Sequence, residues 1–394
     1  MSEPPLSIET LCVHPRDDVS VLTRPLAPPL HLSSVFETPT LDVTERAMEG
    51  DVGHYVYSRT NNPTVVAFEA TVATLEGAEA AVATGSGMAA ISALLLALLA
   101  PGDHAVAADD LYGTTQTLLT GPLARLGISV TLVDAADPSA VSAAIRPNTR
   151  LLFVETVSNP LMRVADVPQL AEIAHDSGAL LAVDASFTSP ALSRPLTQGA
   201  DVVLHSATKY LGGHSDVTSG ILAANAEVAE RVRSVRTTFG GICSPLDAWL
   251  ALRGIKTLAL RLERHSSNAL AVAGMLCSAR GVRRVYYAGL PDDPHHDLAQ
   301  RLLPSGTGGM LAFELEGGRA AVERFLAAVS MIRFAASLAD TATTISYPAL
   351  TSHRAMPKAQ RERLGITDGL LRLSAGIEAV EDIRADLERG MAAV

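Results

Sequence analysis

What most constrains the fold of this chain is a series of short apolar runs alternating with helical stretches. The runs are Ala80–Thr84, Ala105–Ala108, Ser129–Val133, Leu151–Glu155, Leu180–Asp184 and Val202–His205. A strand that is apolar on both faces must be covered on both. A helix between consecutive strands provides the crossover that parallel pairing requires. The pattern predicts an α/β fold with a mostly parallel sheet between two helical layers. Asn62-Pro63 opens a helix reaching about Glu76, an N-cap followed by proline in the first turn, and Ser86–Leu99 reads as another. A long helical stretch from Pro245 to about Ser278 then leads to a second unit, with strands expected at Met310–Leu315, Ile332–Ala335 and Leu370–Ser374. The first sixty residues carry Pro25, Pro28, Pro29 and Pro39 and little periodicity. They read as an arm lying on the body of the chain or on a neighbouring subunit. The expected division is an arm over 1–61, a large domain over 62–258 and a small α/β domain over 259–394.

A chain of 394 residues with 48% hydrophobic and 19% charged side chains is long and apolar enough for two cores. Its net charge of -11 argues against a nucleic-acid partner, because phosphate binding draws on surplus Lys and Arg. The apolar run Met88–Ala100 is too short to cross a bilayer. No charged segment followed by an apolar stretch opens the chain, so no signal peptide or membrane partner is expected. Cys12, Cys243 and Cys277 are far apart and odd in number, which suits a reducing cytoplasm with neither disulfides nor a zinc site. His295-His296, beside Asp292, Asp293 and Asp297, reads as a solvated turn and not as a metal site. Trp249 reads as core.

Ligands of open α/β sheets gather at the carboxyl ends of strands, and three such ends carry chemistry here. Gly85-Ser86-Gly87-Met88 joins a strand to a helix N-terminus, where small residues and free N–H groups can cradle a phosphate. Taken alone, Gly85–Ala90 also fits the dinucleotide pattern GxGxxA with Asp109 or Asp110 downstream, which would suit a nicotinamide oxidoreductase. That alternative leaves Lys209 and Arg372 without roles. Asp184 closes the second strand end. The third is His205-Ser206-Ala207-Thr208-Lys209-Tyr210, a lysine just past a buried strand and two hydroxyls. A desolvated lysine loses its proton and attacks carbonyls. Phosphate donors, a carboxylate and an amine together match the needs of pyridoxal 5'-phosphate: an anchor, a partner for the ring nitrogen and a Schiff-base lysine.

Further motifs extend the pattern: Tyr57-Ser58-Arg59, Asn62-Pro63-Thr64, Tyr112-Gly113, Glu155-Thr156 with Asn159-Pro160, Gly213-His214-Ser215-Asp216, Ser337-Leu338 and Arg372-Leu373-Ser374. On these motifs the chain resembles, over nearly its whole length, the Cys/Met-metabolism (trans-sulfuration) family of fold-type-I pyridoxal-phosphate enzymes. The resemblance implies a large domain with a seven-stranded sheet and a homotetramer built as a dimer of dimers. It implies Lys209 as the covalent lysine and proton shuttle, Asp184 on the ring nitrogen, and Tyr112 stacked on the ring. Ser86, Gly87, Met88, Ser206 and Thr208 would hold the phosphate, reached also by Tyr57 and Arg59 from the adjacent subunit. Arg372 would bind the substrate carboxylate, helped by Asn159 and Ser337. Departures from the family pattern are Val157 for Pro, Ala185-Ser186 for Asn-Thr, Ala339 for Gly and Ala342 near the place of a Glu.

The resemblance also bears on substrate. Relatives that handle cystathionine tend to carry Glu before the Tyr-Ser-Arg motif, Glu before the Ser-Leu-Gly motif, and Arg five residues after the stacking tyrosine. Val56, Ala336 and Thr117 stand there instead. An uncharged pocket suits a short thioether better than a second zwitterion. The expected reaction is therefore γ-elimination on methionine, with γ-lysis or γ-synthesis of cystathionine and γ-replacement on an acyl-homoserine as alternatives. Thr114 occupies the substrate-side position where methionine γ-lyases commonly carry Cys.

Overall fold

The computed structural model describes residues 25–51, 53–354 and 356–394; Cys12 lies outside them. Strands β1 (Ala80–Thr84), β2 (His104–Ala108), β3 (Ser129–Val133), β4 (Thr149–Glu155), β5 (Leu180–Asp184), β6 (Val202–Ser206) and β7 (Gly220–Ala224) form one sheet in the order β1-β7-β6-β5-β4-β2-β3. From β3 to β6 all neighbours are parallel, whereas β7 runs antiparallel to both β6 and β1. The helix Gly87–Leu98 is apolar nearly throughout and buries Ala90, Ile91, Ala93, Leu94 and Leu95 against the sheet. The Ser86 hydroxyl caps its start by accepting from Ala89 N at 3.1 Å.

A second sheet follows in the order β10-β11-β12-β9-β8, made of β8 (Val282–Tyr286), β9 (Met310–Leu315), β10 (Arg333–Phe334), β11 (Thr344–Ser346) and β12 (Leu370–Ser374). It has its own core, in which Phe313 and Phe325 meet edge to face at 5.7 Å.

The differences from expectation have local causes. Strand β7, Gly-Ile-Leu-Ala-Ala, is the seventh of its sheet and carries weak strand formers at three of five positions. Its sheet neighbours hold it, not its propensity. Strands β8 and β11 were likewise not expected, and β10 is shorter than Ile332–Ala335. The long helical stretch is two helices, Pro245–Ile255 and Leu258–Ser278, broken at Lys256-Thr257. The arm contains a helix, Leu41–Met48, capped by Thr40 and burying nothing. Trp249 is half-buried and donates from Nε1 to Pro28 O at 2.9 Å, so it ties the arm to the body. No helix among the described residues is long and apolar enough to cross a membrane.

Candidate active site

The ends of β1, β4, β5 and β6, with the segment at Tyr112 that follows β2, open into one cavity of about 580 Å³. It is lined by Ser86, Gly87, Met88, Tyr112, Thr114, Asn159, Asp184, Ser206, Thr208, Lys209, Ser337 and Arg372, so nearly every site residue expected from the sequence converges there. Tyr57 and Arg59 are the exceptions. Arg59 lies over the Tyr57 ring at 5.5 Å and donates to Thr237 O at 3.3 Å, on the exposed arm and outside this cavity. Of the three positions expected to tune substrate choice, Ala336 lines the cavity, while Val56 and Thr117 do not.

One wall is shaped for close backbone approach. The first N–H groups of the helix Gly87–Leu98 have no partner within that helix. A Cβ added at Gly87 would meet Ser206 Cβ at 2.9 Å. One added at Gly220, which pairs with both Thr84 and Ser206, would meet Ser86 O at 2.2 Å. Two glycines thus bring the Ser86-Gly87 turn against the end of β6. Thr208 Oγ1 accepts from Ser219 N at 3.0 Å, which fixes the loop before Lys209. This wall has the small residues and the N–H and hydroxyl donors that a phosphate requires.

The floor holds charges. Burial pushes the Lys209 ammonium below its ordinary value, Arg372 adds to that shift, and Asp184 opposes it. Burial also raises Asp184, against the Ser186 hydrogen bonds and the influence of the nearby His205 and Lys209 side chains. Ser186, one of the departures from the family pattern, gives its N–H to Asp184 Oδ1 at 2.9 Å and accepts from Ser206 N at 2.6 Å. Arg372 is buried and pushed down to about 10, burial being the main cause. Its Nη1 donates to Asn159 Oδ1 at 2.8 Å and its Nη2 to Ser337 O at 3.2 Å, while Nε has no partner. A buried guanidinium with an unused donor is suited to a carboxylate.

Glu155 was not among the expected site residues. It pairs with Asp184 across β4 and β5 and lines the same cavity. Burial, with the Asp184 charge next, raises it well above its ordinary value. Its Oε1 accepts from Tyr112 N at 2.8 Å and its Oε2 from Asn159 N at 3.3 Å. One carboxylate therefore links the backbone carrying Tyr112 to the backbone carrying Asn159. The motif Glu155-Thr156 contained the signal, but a glutamate ending a strand has no feature that tells this role from a solvated one. Ala339 shows why glycine is usual at its position: its φ is +67°, in the left-handed region.

Elsewhere, Cys243 is buried beside Ser219 Oγ at 3.3 Å, and burial pushes its thiol up to about 11. His295 N–H donates to Asp293 Oδ1, and His296 Nδ1 lies 3.1 Å from Ala288 O, at the turn that starts the helix His296–Leu302. Among the described residues no cluster of three His, Cys, Asp or Glu could hold a metal ion.

A family profile described as Cys/Met metabolism PLP-dependent enzyme matches residues 9–392. An O-succinylhomoserine sulfhydrylase of Pseudomonas aeruginosa is 47% identical over 92% of this chain and 89% of its own length. An L-methionine gamma-lyase of Fusobacterium nucleatum is 41% identical over 93% of each. Among solved structures, a cystathionine gamma synthase from Xanthomonas oryzae superposes with a TM-score of 0.88, at 40% identity over 93% of each chain.

Proposed function

Because the chain belongs to the Cys/Met metabolism family of pyridoxal-phosphate-dependent enzymes, we propose that it eliminates the γ substituent of an uncharged sulfur amino acid. Methionine is the foremost substrate, consumed with water to give methanethiol, ammonia and 2-oxobutanoate. The observation that carries this proposal is the cavity wall beyond the charged floor. Thr114, Val157, Ala336, Leu338, Leu350 and Thr351 line it without a charge. A distal ammonium and carboxylate would be desolvated there with no partner from this chain.

The cofactor, when bound, supplies an electron sink for charge developing at the substrate α carbon. The N–H groups of Gly87 and Met88, with the hydroxyls of Ser86, Ser206 and Thr208, would hold its phosphate. Asp184 would meet the ring nitrogen, and Tyr112 would cover the ring face. Lys209 Nζ would supply the amine for its aldehyde carbon, and burial favours the neutral form that takes protons. Arg372, oriented by Asn159 and Ser337 O, forks onto the substrate carboxylate. The Tyr112 hydroxyl would deliver a proton to the departing sulfur.

In the same proposal, the arm expected over 1–61, of which 1–24 lie outside the described residues, reaches a neighbouring subunit, while 62–258 is a large cofactor domain and 259–394 a small domain. The assembly is a homotetramer with sites shared between subunits, working in the cytoplasm.

The test compares kcat/KM for L-methionine, L-cystathionine and O-succinyl-L-homoserine with sulfide. Methionine should exceed cystathionine, and Glu installed at both 56 and 336 should move preference toward cystathionine. A wild type that already favours cystathionine by a wide margin overturns the pocket argument. A second reading, γ-replacement on an acyl-homoserine, is favoured by the 47% identity to the Pseudomonas sulfhydrylase. It wins if product formation requires added sulfide.

A further inference from the structure

His205 stands one residue before Ser206 on β6. Strand alternation turns its ring away from the cavity and toward the end of the helix Pro63–Glu76. Its Nε2 lies 2.6 Å from Glu76 Oε1, and its Nδ1 lies 3.2 Å from the carbonyl oxygen of Ala185, the residue after Asp184. The pair is out of water, with His205 1% and Glu76 0% exposed. A carbonyl oxygen can only accept, so Nδ1 carries a hydrogen. The open question is where the second proton sits, on Nε2 or on Glu76. Glu76 Oε2 has no hydrogen-bond partner, so an anion there relies on the contact of Oε1 with His205. The ring lies between Glu76 and the Asp184 segment. A proton on the ring is therefore nearer the Asp184 carboxylate than one on Glu76, and the field of that carboxylate pulls it to the imidazole.

We infer that His205 donates from both ring nitrogens and is a positioning cation behind Asp184. In that role it holds the Asp184 carboxylate ionised for the cofactor's ring nitrogen. This rests on Asp184 having the role proposed above. A positive charge on His205 would lower Asp184, against the burial that raises it. Glu76 is thereby a distant member of the site. It has no contact with the cavity, and its effect passes through the ring.

The first measurement reads the wild-type ring. Holoenzyme carrying nitrogen-15 histidine is examined by NMR near neutral pH, with His205 identified as the signal missing in His205→Gln. Both His205 ring nitrogens should show shifts of the protonated type; one unprotonated nitrogen overturns the inference. The second measurement loads nitrogen-15-labelled cofactor into wild type, Glu76→Gln, His205→Gln and Asp184→Asn. The ring nitrogen should lose protonation in all three variants, and kcat in Glu76→Gln should fall about tenfold, the effect of one pKa unit, with KM little changed. If Asp184→Asn alone changes the cofactor signal in folded protein, His205 is a structural pair only. If Asp184→Asn leaves it unchanged as well, the role of Asp184 itself is wrong.

Discussion

At the scale of single residues, Lys209 and Glu155 make opposite cases. Lys209 stands out in the sequence, and in the structure its desolvation and the nearby Arg372 depress its charge while Asp184 opposes them. Lys209→Ala should remove the visible absorption band of the cofactor-loaded protein and cut turnover by about a thousandfold or more. A retained band in the variant would sink its covalent role. Glu155 is marked only by its surroundings, which suggests a pH test on the cofactor-free protein. Its carboxyl is held well above the ordinary 4.5 in the fold. As pH rises from 4.5 toward the folded value, the unfolded chain has released this proton and the folded one has not. The folded state then binds more protons, so stability falls across that window. Glu155→Gln should flatten the fall, leaving the part due to Asp184. Urea midpoints measured across the acid range would show it, and parallel curves would refute it. At Ala339 the φ of +67° costs roughly 1–2 kcal/mol for a side chain. Ala339→Gly should therefore stabilise the protein by up to about 1 kcal/mol, once the extra freedom of glycine in the unfolded chain is counted. A lower melting temperature would contradict this.

At the scale of elements, β7 and the helix Gly87–Leu98 decide whether a phosphate wall exists. Strand β7 passes between β1 and β6, and Gly220 leaves room there for the Ser86-Gly87 turn. Gly220→Ala places a methyl group 2.2 Å from Ser86 O, and backbone cannot give way as a flexible side chain can. The substitution should cost about 1–3 kcal/mol, as overpacking does, and weaken cofactor retention. Melting curves with and without added cofactor separate the two effects. If the variant keeps both stability and cofactor, the turn is held by something other than this approach.

At the scale of the whole molecule, the arm is the open surface. Leu32, Val35, Leu41 and Met48 on it are exposed, as is Phe239 just beyond Thr237, to which Arg59 bonds. Arg236 Nη2 holds the arm's end by donating to Thr60 O at 2.8 Å. An apolar arm carrying two phosphate-suited groups outside its own cavity fits a site completed by a neighbour. Co-expression of Lys209→Ala and Arg59→Ala, each nearly inactive alone, tests this. In a mixed dimer one site collects both lesions and the other is intact, so with random pairing about a quarter of all sites should recover activity under two-fold symmetry. Verified mixed dimers without activity would mean that Arg59 serves its own chain.

The sequence alone determined the alternating architecture and the convergence of Lys209, Asp184 and the Gly85–Met88 turn. Strand ends and helix starts are local features, carried by five-residue apolar runs and capping residues such as Ser86. Periodicity could not reveal β7, whose glycine and alanines have weak strand preference and which exists because β1 and β6 flank it. Nor could it reveal that Glu155 ties Tyr112 to Asn159, or that Glu76 meets His205 across 129 positions of chain. A buried charge takes its role from the donors and charges that the fold brings to it. Those neighbours come from distant segments, so only the tertiary structure decided what these two glutamates face.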